Sequence, residues 1–443
     1  MKVGLTYGSI WRLSYPVILA GVGQAVLEAT DVAFLAHYGV TEAGAVAIAD
    51  SIYELLLVGA LGLIDGIQVL LARRAGRGSS AGVGAVFRQG CRLLLLASLA
   101  VFLLVKVAVP PFLGLAVSSA PVREAVDAFL QVVVFGVLFE VGHHLLAVLY
   151  IGLGRTRVLI ASSAILAGTN IFLDYALIFG HFGFPEMGIV GSAWGTAIAE
   201  CAAFLFLAGY AVARGDLRAY RLMPGKGWDA PLTRRLLAIS TPAALEGLVE
   251  TGRWFLLFTI VERLGEVALG VSSVVYSCYC LLIIPLEGIA EAVCSGVSGM
   301  IGEGHASRIG TLLRRSISLG YALVAAPALL AMVAPELVLA AFTDDPDLVA
   351  GSVAPLRVVS LALLLVAPGE MLLGALVGTG DTRGAFRIQA IHAAAVLAFV
   401  FVAGILLRQG EAVIWLFVPL GWILRVALSG ARLRGEAWRS VEV

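Results

Sequence analysis

Apolar residues run along this chain in long blocks, each closed by turn residues or by charges. Read as helices, the blocks fall near 9–35, 43–72, 84–109, 122–151, 156–180, 188–213, 233–261, 267–300, 308–334, 351–379, 383–407 and 412–432. A helix needs about 20 apolar residues to cross the hydrocarbon of a bilayer, and these blocks have that length. Twelve crossings put both termini on one side. Basic residues choose the side, because Lys and Arg are retained in cytoplasmic loops. The joints after helices 2, 4, 6, 8 and 10, with the two ends, carry most of them, among them Arg73, Arg74, Arg77, Arg155, Arg157, Arg314, Arg315, Arg383 and Arg432. The opposite joints carry Arg123, Arg263 and Arg408. Both termini are therefore expected in the cytoplasm, and the chain in a cell (inner) membrane.

Composition agrees with that pattern and narrows what the chain can do. Of 443 residues 60% are apolar and 14% charged, whereas soluble domains are about 45–50% apolar. Thirty basic residues balance thirty acidic ones, so no overall field draws nucleic acid. Little chain is left for a soluble catalytic domain, and no catalytic constellation faces one surface. The expectation is a protein that is not an enzyme and carries no cofactor. Cys91, Cys201, Cys278, Cys280 and Cys294 sit in or beside apolar runs without metal-ligand spacing and read as packing. Glu28 and Asp31 interrupt the first block, which reads as a retained helix rather than a cleaved leader.

The sequence matches itself at a shift of 226 residues: Ser14 falls on Ser240, Pro16 on Pro242, Tyr53 on Tyr279, Gly62 on Gly288 and Gly78 on Gly304. After the fourth helix of each half, Gly152-Leu153-Gly154-Arg155-Thr156-Arg157 falls on Gly378-Thr379-Gly380-Asp381-Thr382-Arg383. Six helices per copy is an even number, so the copies point the same way, related by an axis along the membrane normal. The expected fold is all-α and integral to the membrane: twelve transmembrane helices in two parallel six-helix bundles, a 6+6 internal repeat. Residues 1–213 form an N-lobe, 214–231 a polar cytoplasmic linker and 232–443 a C-lobe. Like bundles predict a cleft that opens to either side by rocking, the way such repeats move solutes. A monomer in the lipid bilayer suffices for that. The glycine-rich joints connect helix to helix rather than strand to helix, so they read as tight turns and not as phosphate loops.

An ionisable group at membrane depth is costly unless paired, hydrated or protonated, so each is a functional candidate. The first lobe holds Glu28, Asp31, Asp65, Glu140, His143, His144, Asp174 and Glu200; the second holds Glu246, Glu250, Arg253, Glu287, Glu291, Glu370 and His392. Acids outnumber bases, which favours cations and disfavours anionic substrates. Asn170 and Asp174 stack at i,i+4 on helix 5. Their oxygens suit a hard cation such as Na+, and a buried Asp can instead carry a proton. A plain role in hydrogen bonding between helices is the other reading. Glu246 and Glu250 repeat the spacing on helix 7, with Arg253 placed either to neutralise Glu250 or to release it. Glu287 and Glu291 repeat it on helix 8, and Asp65 falls on Glu291 at the 226 shift, which points to a shared gating or structural task. His143 and His144 titrate near neutral pH or serve as packing.

Taken together, these residues resemble the multidrug and toxic compound extrusion (MATE) family. The resemblance runs from the Pro16 helix and Asp31 through the Gly152-to-Arg157 joint to Asn170-Ile171-Phe172-Leu173-Asp174 and Gly188-Ile189-Val190-Gly191-Ser192-Ala193-Trp194-Gly195-Thr196. It implies a first-lobe ion site for H+ or Na+ in which Asp31 is the helix 1 carboxylate, Asn170 and Asp174 the helix 5 pair and Thr196 the helix 6 hydroxyl. No other metal is implied. Glu250 matches the family's helix 7 acid, eight residues beyond Pro242. Where some members have an acid on helix 10, this chain has Val366, with Glu370 one turn later. The implied function is antiport: a small organic cation or drug leaves the cytoplasm as H+ or Na+ enters. The alternative is a flippase of lipid-linked or amphipathic substrates from the same broad superfamily.

Overall fold

The computed structural model describes residues 4–223, 227–435 and 438. Among them lie twelve long helices: α1 Tyr7–Tyr38, α2 Thr41–Gly76, α3 Ser80–Leu115, α4 Ala120–Gly152, α5 Val158–Phe179, α6 Ile189–Ala213, α7 Ala230–Glu262, α8 Glu266–Gly302, α9 Ala306–Val333, α10 Pro346–Thr379, α11 Thr382–Leu406 and α12 Glu411–Arg434. Each predicted block is one of them. All but α7 are long and apolar enough to cross a bilayer; α7 has the length but gathers Glu246, Glu250 and Arg253 near its middle. Leu95, Leu96, Leu99 and Leu103 on α3 are about half exposed, as side chains facing lipid tails are. The expectation of an all-α, two-bundle membrane fold holds.

Prolines Pro16, Pro242, Pro285, Pro327 and Pro368 all lie inside continuous helices. Each removes one backbone donor, which membrane helices tolerate when neighbours satisfy the freed carbonyl. The internal repeat reaches down to single turns. Gly78 and Gly304 have φ of +69° and +78°, and Gly154 and Gly380 have +69° and +91°. A left-handed turn closes the helix at each of these matched positions, where a Cβ is penalised.

Contacts divide the chain into two compact units. Leu19–Ala244 make up the first, and Lys2–Ile18 with Leu245–Val443 the second. Both breaks cut a helix, between Ile18 and Leu19 in α1 and between Ala244 and Leu245 in α7, two residues beyond Pro16 and Pro242 and at matched positions of the repeat. In the first unit the start of α7 lies on α2: Ser240 Oγ donates to the Leu63 carbonyl at 3.4 Å, and a Cβ on Gly62 would overlap the Ala244 backbone. The second unit repeats this contact, with Gly288 of α8 against the backbone of Ile18. The core of the first unit includes Leu70 and Leu71 of α2, Leu130 and Leu149 of α4 and Leu207 of α6. That of the second draws on every helix from α7 to α12, with Leu286, Val293, Leu363, Val366, Val418 and Trp422 of α8, α10 and α12 in one cluster. In the linker, Gly215 turns left-handed ahead of the one-turn helix Asp216–Ala219, and residues 224–226 lie outside the described residues.

Candidate functional site

In the first unit, α5 and α6 cross closely because α6 carries Gly191 and Gly195 one turn apart. A Cβ on Gly191 would overlap the backbone of Leu177, and one on Gly195 would overlap Asp174 Oδ1. Small residues at such a spacing let helix backbones approach. The approach sets Asn170 and Asp174 of α5, both fully buried, against Ser192 and Thr196 of α6. Asn170 Nδ2 donates to Thr196 Oγ1 at 3.3 Å, which turns its amide oxygen away from Thr196. From α1, Asp31 faces both Asp174 and Asn170.

All four residues that the sequence proposed for the ion site are therefore neighbours. Acceptor oxygens dominate the group: among the described residues Asp31 Oδ1, Asn170 Oδ1 and both carboxylate oxygens of Asp174 are buried without a hydrogen bond of good geometry, with the Ser192 hydroxyl beside Asp174. A carboxylate oxygen cannot donate to another. The set is satisfied by a proton shared between the two acids, or by a hard cation ligated by carboxylate, amide and hydroxyl oxygens. Two acids that sequence reasoning missed add to the field: on α2, Asp50 lies in electrostatic range of Asp31 and Glu28, and Glu54 in range of Glu28. Their i,i+4 spacing was the available signal.

A separate polar group lies in the same unit. Tyr53 OH of α2 donates to Glu140 Oε2 of α4 at 2.7 Å. On α4 too, His143 sits 2.9 Å from Ser162 Oγ of α5 through Nε2, and 3.3 Å from Glu200 Oε2 of α6 through Nδ1.

In the second unit two buried arginines offset part of the acidic charge. Glu250 pairs with Arg253 and also accepts from Gln389 of α11 and, at 3.1 Å, from Trp254 Nε1. Arg253 is buried and lies over the Trp254 ring. Of the two sequence readings of Arg253, the geometry is that of the internal ion pair. Arg425 of α12, which the sequence reading passed over, is buried 3.9 Å from Glu370 and in electrostatic range of Glu246 and Glu250. Its guanidinium lies over Trp422, whose Nε1 donates to Tyr279 OH at 3.2 Å. Val366, where an acid could have stood on α10, is fully buried in the apolar core. Glu287 faces Glu370 and Glu250. Asp65 is exposed on α2 and Glu291 half-buried on α8.

Comparison with known proteins bears on these arrangements. The MatE family model matches the chain twice, over residues 16–176 and 242–403, two segments whose starts are one repeat apart. A probable multidrug resistance protein NorM from Aromatoleum aromaticum is 29% identical over 344 residues, covering 76% of this chain and 73% of that protein. One from Thermotoga maritima is 26% identical over 380 residues, covering 84% and 80%. Among solved structures, a MATE protein in complex with MaL6 superposes with a TM-score of 0.88 at 19% identity, over 98% of this chain and 97% of that one, a likeness of fold.

Proposed function

The chain belongs to the MatE family, and from that premise we propose that it is an antiporter that exports small organic cations from the cytoplasm in exchange for H+ or Na+. The similar NorM proteins bear the name of multidrug resistance proteins, which supports the export of varied compounds. One observation carries the coupling half of the reading: Asp31 and Asp174 face each other with Asn170 between α5 and α6, their buried oxygens all acceptors. Such a set binds one positive charge well. In exchange for H+, the proton is held between Asp31 and Asp174. In exchange for Na+, the carboxylates are joined by Asn170 Oδ1 and Thr196 Oγ1. Binding removes negative charge from the first unit and weakens its hold on an organic cation, which then leaves. Coupling further requires that the ion bind the outward-facing state more tightly than the inward-facing one, since an ion with equal affinity for both drives nothing. The proposed setting is an inner membrane, with both termini in the cytoplasm and the monomer as the working unit.

Proteoliposomes loaded with a cationic dye and given separate pH and Na+ gradients test the proposal. The expected outcome is dye movement driven by one of the two, lost in Asp31→Asn and Asp174→Asn proteins that insert normally. Dye that moves under neither gradient would overturn it.

A further inference from the structure

The group formed by Tyr53, Glu140, His143, Ser162 and Glu200 has no part in the ion site just described, although it lies in the same unit. Ser162 precedes Asp174 by twelve residues on α5, about 18 Å along a helix axis. Glu200 follows Thr196 by four residues on α6, about 6 Å further along. The titratable groups facing this cluster come from three helices: Tyr53 and Glu54 of α2, Glu140, His143 and His144 of α4, and Glu200 of α6. They include three carboxyls and two imidazoles, and among the described residues no Arg or Lys acts on them.

That composition differs in kind from the acidic group of the second unit, where Arg253 and Arg425 supply fixed positive charge. An ionised carboxylate held away from water needs a compensating charge or must give up its own. Here the groups themselves can supply it only by taking up protons. The geometry has a place for one. His143 Nδ1 and Glu200 Oε2 approach to 3.3 Å, both residues are more than nine-tenths buried, and neither atom makes a hydrogen bond. Hydroxyls accompany both parts of the group: Ser162 Oγ lies 2.9 Å from the other nitrogen of His143, and Tyr53 OH donates to Glu140, which is in electrostatic range of Glu200.

We propose that the His143–Glu200 pair, with Glu140, is a second proton-binding site of the transport cycle, distinct from Asp31 and Asp174. It rests on the antiport reading above and adds to it a count of protons. In the cycle, one proton from water on the uptake side binds at His143 Nδ1 or Glu200 Oε2, forming an N–H or O–H bond. An O–H bond of hydronium breaks as that bond forms; on the other side the bond breaks again and the proton passes to a water molecule, forming hydronium.

The test is the proton-to-dye ratio, measured in proteoliposomes by balancing a pH gradient against an opposing dye gradient until flow stops. Glu200→Gln and Glu140→Gln are expected to keep exporting dye but with one proton fewer per dye, and Glu200→Asp to restore the wild-type ratio. An unchanged ratio in both glutamine variants overturns the second site while leaving antiport standing, as does wild-type exchange driven by Na+ with no proton movement. No gradient-driven export by the wild type overturns antiport itself. Should a variant fail to insert, His143→Asn and the remaining one carry the measurement. Failure of all three to insert would assign the cluster to folding and also overturn the proposal.

Discussion

Arg155 Nη1 donates to Asp216 Oδ1 at 2.9 Å, and Asp216 is almost fully buried whereas the Arg155 side chain is 38% exposed. The pair ties the start of the linker to the turn between α4 and α5, with help from Tyr150 OH at 3.3 Å. Unequal burial decides which partner matters more. Arg155→Ala leaves the buried carboxylate with only the more distant Arg214, at 3.9 Å, as counter-charge, whereas Asp216→Asn leaves two half-exposed guanidinium groups that can turn to water. Arg155→Ala is expected to cost about 2 kcal/mol, within the range for a hydrogen bond to a charged group. Asp216→Asn should cost less, and the double variant less than the sum. Thermal unfolding of the four purified proteins in detergent checks the order; equal losses for the two single variants would contradict it.

At the matched turn of the second repeat the charge is reversed. Asp381 accepts from Arg432 Nε at 2.7 Å and from the Gly384 backbone N–H at 3.0 Å, so it both pairs and caps the start of α11. Asp381→Asn keeps a capping oxygen and Asp381→Ala keeps none. The alanine variant should be the less stable by about 1 kcal/mol, the usual worth of a cap. Unfolding midpoints of the two variants compared side by side would reveal the difference or its absence.

Gly195 gives a way to disturb the ion site without altering a charge. A Cβ there displaces Asp174 Oδ1. A ligand shifted by the order of 1 Å can lose roughly a hundredfold in a step that depends on geometry. Gly195→Ala is expected to slow gradient-driven dye export at least tenfold, with normal insertion. Gly209→Ala, a change in open space on the same helix, should leave export unchanged. Wild-type rates in the first variant would mean that Asp174 need not be held where it is.

Gly62 and Gly288 make the same close contact in the two units, against Ala244 and Ile18. Valine at either position overpacks the contact, at about 1–3 kcal/mol. The two variants should lose similar stability. On the same face-free terms, Gly59→Ala meets nothing and should gain up to about 1 kcal/mol from helix propensity. A chemical-denaturation series resolves these signs, and a tolerant Gly62→Val would show that the α2–α7 contact yields easily.

In the second unit, Arg425 faces Glu246, Glu250 and Glu370 at once. Its replacement by Gln leaves several buried carboxylates with less compensation and should destabilise by about 3–5 kcal/mol. Glu370→Gln removes one of those acids and should be milder. Expression and thermal stability of the two variants decide; if Glu370→Gln were the worse, Arg425 would not be the compensating charge.

How much of this was legible beforehand follows from the range of each interaction. Helix lengths, the 226-residue echo, the left-handed glycines at its joints and the i,i+4 pair Asn170–Asp174 are local patterns, and the chain's own order determines them. Thr196, too, was found through a run of neighbouring residues. Tertiary structure decided which charges meet. Asp31 reaches Asp174 across 143 positions of sequence, and Arg425 reaches Glu250 across 175. Helices that are apolar nearly all round carry little periodic signal of which face turns inward, so an acid such as Asp50 or a cation such as Arg425 is visible in the sequence without its partner. The same holds for the breaks after Ile18 and Ala244: the prolines mark where α1 and α7 can be divided, and only packing against α8 and α2 determines which unit each half joins.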